Sequence, residues 1–138
     1  MTLDLHSLKK AISALSRSLK VAQKAEKNEL MDDDTKETIR SGVIQNFEVA
    51  YEASWKMMKR WIETNVNAEA VDGVTRRELF RHAAENRLID DVDKWMSFHV
   101  ARNSTSHIYE EEVAVEVFKA ANEFPKESRK LLKALESK

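Results

Sequence analysis

From residue 36 to residue 63 the chain runs without a proline and with one glycine, and its apolar side chains fall into two rows. Val43, Phe47, Ala50, Met57 and Trp61 form one row; Ile44, Tyr51, Trp55, Met58 and Ile62 form the other. Near-helical spacing puts each row on one face of an α-helix, and two adjacent rows make an apolar arc too wide for a helix with a single neighbour. Either the chain's own helices surround this helix or part of the arc meets a second subunit, and a mixture of the two is expected, because five helices leave few neighbours for a helix that long. The whole chain is short of helix-breaking residues, with two glycines and one proline among 138, while 34% of it is charged. Those figures predict an all-α fold in a single domain, residues 1–138, long enough to bury about two thirds of its unfolded surface.

The remaining helices follow from the same periodicity. Leu5, Leu8, Ile12, Leu15, Leu19 and Ala22 mark a first amphipathic helix, with Lys9, Lys10, Arg17, Lys20 and Lys24 on its outer face. Asp32 to Asp34 interrupt the pattern, and Asp34 with Thr35 can cap the second helix. Residues 65–74 read as the one long loop. Thr75 and Glu78 are spaced as a capping box for a third helix over 76–86. Asp90 and Asp91 open a fourth, carrying Val92, Trp95, Met96 and Val100. A fifth covers 111–123, and Pro125 is placed to begin a short last one through 135. Gly42, inside the long second helix, is costly there and implies a close helix contact.

Several function classes drop out. The formal net charge of −1 gives no global attraction to nucleic acid, so an RNA contact needs a local basic surface such as Lys56, Lys59 and Arg60, or Arg76, Arg77 and Arg81. The absence of cysteine removes thiol catalysis and thiolate metal sites. No run of about 18 apolar residues is present, and the N-terminus lacks an apolar leader, so no membrane role and a cytoplasmic location are expected. None of His6, His82, His99 or His107 has a glutamate three residues before it, as di-iron bundles require. His99, Asn103 and His107 line up on an ideal helix, but two imidazoles without a carboxylate make a poor metal site. The pair Asp91 and Asp93 lacks the Gly-Ser loop of a nucleotidyltransferase, and helix capping accounts for Asp91. The reading calls for no metal and no cofactor.

One short stretch departs from ordinary helix composition: Ala101-Arg102-Asn103-Ser104-Thr105-Ser106-His107-Ile108-Tyr109. On a continuous helix Arg102 and His107 would face directions about 140° apart. The run from Asn103 to Ser106 competes for backbone hydrogen bonds and predicts that the helix ends there, allowing His107 to turn back toward Arg102. Arginine offers a planar fork of donors to phosphate oxygens, and histidine exchanges protons near neutral pH. Together they suit metal-independent phosphodiester cleavage. The plain alternative is that Arg102 pairs with a carboxylate, His107 caps a helix end and Tyr109 packs in the core.

Two segments taken together resemble a known family. Ser41-Gly42-Val43-Ile44-Gln45-Asn46-Phe47-Glu48, with Tyr51-Glu52 and Trp55-Lys56, and then the Arg-x4-His-x-Tyr pattern of Arg102, His107 and Tyr109, resemble the HEPN superfamily. Within it the chain is similar to the HepT-like nucleotidyltransferase substrate-binding proteins. The resemblance implies an up-and-down bundle of about five helices that forms a homodimer, and a separate minimal nucleotidyltransferase as partner. It further implies one of two functions. In the first, the protein is the endoribonuclease toxin of a toxin–antitoxin pair, with Arg102 and His107 catalytic, Asn103 supporting, RNA such as tRNA or mRNA as substrate, and Tyr109 adenylylated by the antitoxin. In the second, it is a non-catalytic subunit that presents a nucleotide or other substrate to the nucleotidyltransferase.

Overall fold

The computed structural model describes residues 3–138, and among them every regular element is helical. α1 (His6–Glu26) buries Leu8, Ile12, Leu15, Leu19 and Ala22, the row that the spacing predicts. A short turn returns the chain into α2 (Asp33–Asn65), so the two long helices lie as antiparallel neighbours. α2 is capped by Asp32, whose carboxylate accepts from the Thr35 amide at 2.7 Å, rather than by Asp34 and Thr35. Asp33 and Asp34 instead sit in the first turn, where negative charge meets the positive end of the helix dipole.

Both apolar rows of α2 are satisfied within one chain. Val43, Ile44, Phe47, Ala50, Tyr51, Met57, Met58 and Ile62 are buried, and Trp55 and Trp61 partly so. α1 covers one side, while α5 and the short helices cover the others. The width of the arc therefore does not by itself require a second subunit. Gly42 also differs from expectation: a Cβ built there meets nothing within 4 Å, so no close contact inside the chain accounts for it.

The expected loop contains a 3-10 turn, Ala68–Val71, started by the Asn67 side chain and tied down by the buried Val71. α3 (Arg76–Glu85) begins at Thr75, whose hydroxyl oxygen accepts from the Glu78 amide at 3.2 Å. Half of the capping box is present, since Glu78 takes its return bond from the Thr75 hydroxyl instead of its backbone. α4 (Val92–Asn103) is capped by Asp91, which accepts from the Lys94 amide at 2.9 Å.

α5 (Glu111–Glu136) is one helix where the sequence predicts two, with Pro125 in its interior. An interior proline forfeits one backbone hydrogen bond and crowds the preceding turn, costing about 3 kcal/mol. Phe124 and Leu131, on either side of it, are fully buried against the same core. Each such side chain gains about 2–3 kcal/mol from burial, enough together to hold both halves on one axis. Phe124 is also the hub of the aromatic core, packing edge-on against Phe98 at 4.9 Å, Trp95 at 5.4 Å and Phe47 at 5.5 Å. This cluster fixes α2, α4 and α5 together and forms the base from which the end of α4 projects.

Candidate functional site

The end of α4 is built by the polar run that follows it. The Ser104 hydroxyl donates to the Val100 carbonyl at 2.8 Å, and the Thr105 hydroxyl to the Arg102 carbonyl at 2.9 Å. These side chains occupy carbonyls at the helix end, and the chain tightens into a 3-10 turn, Thr105–His107. The predicted break is thus present. Arg102 and Asn103 lie in the last turn of α4, while His107 is exposed on the 3-10 turn and Tyr109 follows with 79% of its surface open. The His107 and Tyr109 rings stand 6.1 Å apart. Tyr109 therefore does not pack in the core, and His107 no longer lies on one helix with His99 and Asn103.

Arg102 faces back onto α2. Its Nη1 is 3.2 Å from Glu48 Oε2 and its Nε 3.6 Å from Glu52 Oε1. The Thr105 hydroxyl also lies 3.3 Å from Glu48 Oε2, the more distant of the two acceptors within its reach. The buried Nε has no hydrogen-bond acceptor, so charge holds the guanidinium more than aligned bonds do, and donor capacity is left over. Glu48, Glu52, Lys56 and Arg102 line an open groove of about 570 Å³. Among the described residues no hydrogen bond or ion pair joins Arg102 to His107; the helix break separates their partners as well as their backbones.

Asn103 belongs to a second set of contacts. Its Nδ2 lies 3.2 Å from His99 Nε2, and His99 Nδ1 lies 2.8 Å from the Tyr51 hydroxyl. Arg76 Nη1 donates to that hydroxyl at 3.4 Å while its guanidinium stacks 3.6 Å over the Trp55 ring. Trp55 Nε1 donates to Glu52, which brings the contacts back to Arg102. Burial pushes the Tyr51 phenol up to about 12, with the positive charge of Arg76 offsetting part of the effect. Burial lowers the His99 pKa, and Arg76 lowers it further against an opposing pull from Glu52, which favours the neutral ring. On sequence, His99 is only a candidate metal ligand, Arg76 part of a basic cluster that could guide RNA and Tyr51 a member of an apolar row, and the three are not joined to Asn103. The one local signal was the four-residue spacing of His99 and Asn103. Among the described residues no group of three or more His, Asp or Glu is gathered as a metal site, and no helix is long and apolar enough to cross a membrane.

The comparisons with known proteins agree with this architecture. Residues 3–137 match the family described as nucleotidyltransferase substrate binding protein like. A curated relative from Haemophilus influenzae, named probable ribonuclease HepT, is 33% identical over 136 residues, covering 96% of this chain and 92% of its own length. A solved Haemophilus influenzae structure, described as revealing the fold of a substrate binding domain of a nucleotidyltransferase, superposes with a TM-score of 0.89 at 30% identity. That alignment covers 96% of this chain and 99% of the other. With the family model matched over residues 3–137 and a relative 33% identical over nearly its full length, the chain belongs to the nucleotidyltransferase substrate binding protein-like family.

Proposed function

We propose that the protein is the endoribonuclease toxin of a toxin–antitoxin pair, acting as a cytoplasmic homodimer whose antitoxin is a minimal nucleotidyltransferase. The observation that carries this reading is the helix break after Asn103. It leaves a phosphate-matched cation, Arg102, at the end of α4 and an exposed imidazole, His107, on the turn that follows. The name of the relative, probable ribonuclease HepT, supports it.

In this mechanism His107 takes the proton of a ribose 2′-hydroxyl, and the oxygen attacks the adjacent phosphorus. The bond from phosphorus to the 5′-oxygen breaks as that oxygen takes up the proton that the His107 imidazolium gives back, giving a 2′,3′-cyclic phosphate and a free 5′-hydroxyl. Arg102 stabilises the extra negative charge on the phosphorane, and Asn103 supports it with its amide. No step calls on a metal ion. Tyr109 is the acceptor for adenylylation by the partner; its exposure suits that role, and a nucleotide attached there, beside His107, would obstruct RNA.

The second reading is a binding subunit that presents a nucleotide to the nucleotidyltransferase. The open groove at Arg102 and the description of the solved relative favour it. The test is to incubate purified protein with total cellular RNA in excess EDTA and compare it with His107→Ala on a denaturing gel. The ribonuclease reading expects discrete products from wild type alone. Equal lack of cleavage, with both proteins folded and unmodified at Tyr109, leaves the binding subunit.

A further inference from the structure

We propose that His99 and Tyr51, anchored by Arg76, are positioning residues that hold the Asn103 amide, and with it the end of α4, in register for RNA cleavage. This rests on the ribonuclease reading. Asn103 is exposed and is the last residue of α4, where intrahelical hydrogen bonds run out. An amide in that place would exchange rotamers freely unless something beside it held it. His99, one turn earlier, makes that contact through Nε2. The other ring nitrogen is fixed 2.8 Å from the Tyr51 hydroxyl, so the imidazole cannot turn without breaking a bond at each end.

Tyr51 is an immobile support. Only 1% of it is exposed, and its ring lies against Phe47 and Phe124 in the aromatic core. Arg76 brings α3 to the same hydroxyl and is itself clamped over Trp55. Trp55 in turn bonds Glu52, which faces Arg102. The contacts form a ring that leaves the chain at Asn103, passes through α4, α2 and α3, and returns at Arg102. Two motif residues that are neighbours in sequence are thereby held from opposite ends of one network. A neutral His99 suits the arrangement: with its proton on Nδ1 the ring would donate to the Tyr51 hydroxyl and leave a lone pair at Nε2 to accept from the Asn103 amide. One edge of the Asn103 amide is occupied, and its other edge faces solvent, where RNA would lie.

The test uses the full-length protein and a defined RNA oligonucleotide that wild type cleaves, with kcat and KM measured for His99→Ala, Tyr51→Phe, Asn103→Ala and the two combinations with Asn103→Ala. Tyr51→Phe keeps the core ring and guards against a variant that fails to fold; circular dichroism confirms both. His99→Ala is expected to lower kcat about tenfold or more, and Tyr51→Phe less, with KM within about twofold. In the Asn103→Ala background neither should lower kcat further, because both act through that amide. Losses that simply multiply, or no loss in either single variant while His107→Ala is inactive, would overturn the positioning role and leave the ribonuclease reading standing. Equal cleavage by wild type and His107→Ala, or failure to find any RNA that wild type cleaves, would overturn the ribonuclease reading and this inference with it.

Discussion

Tyr51 is where the core and the candidate site meet, and its ionisation tests how tightly they are joined. The ring lies in apolar surroundings, and a phenolate there would lose most of its hydration, which is why its pKa is pushed up to about 12. In the unfolded chain the phenol titrates near about 10. Between those values the unfolded state has given up a proton that the folded state keeps, so stability falls as pH rises through this window. The loss approaches about 2–3 kcal/mol at its upper end. Melting temperatures measured from pH 9 upward should therefore fall more steeply for wild type than for Tyr51→Phe. Parallel curves would assign the alkaline loss to other groups and leave the Tyr51 hydroxyl without a role in stability.

At the scale of elements, the open space at Gly42 permits a clear prediction. Its backbone is helical, and an added Cβ meets no atom of the chain. Gly42→Ala should therefore raise stability to urea by about 0.5–1 kcal/mol through helix propensity alone. A decrease instead would place a second copy of the protein against this turn. The helices themselves were legible because burial here follows period: the rows read on α1 and α2 are the rows that are buried. Pro125 was misread because a local rule about proline competes with burial of Phe124 and Leu131, and burial depends on distant partners. The break after Asn103 was legible because Ser104 and Thr105 act on carbonyls three and four residues away. The ring around Asn103 was not, since Tyr51 meets His99 across 48 positions and Arg76 across 25, with no local pattern to announce either contact.

For the whole molecule, the ribonuclease proposal requires Arg102 and His107 to act on one phosphate. Within a chain they have separate partners: Arg102 faces Glu48 and Glu52 on α2, while His107 stands exposed beside Tyr109. The groove at Arg102 is also open, too shallow for one protomer to exclude water from a reacting phosphate. A two-fold dimer would meet both needs if each copy added its exposed turn to the groove of the other. Sedimentation should give about twice the 15.9 kDa of the chain. Mixing tests the sharing directly. Arg102→Ala and His107→Ala are each expected to be inactive, yet a heterodimer would keep one intact pairing, Arg102 from one copy with His107 from its partner. With random exchange, half the dimers are mixed and one of their two sites is whole, so activity should return to about a quarter of wild type. Failure of the mixture to recover any cleavage, with exchange verified by differently tagged copies, would confine both groups to the same chain and require the 3-10 turn to close onto Arg102 when RNA binds.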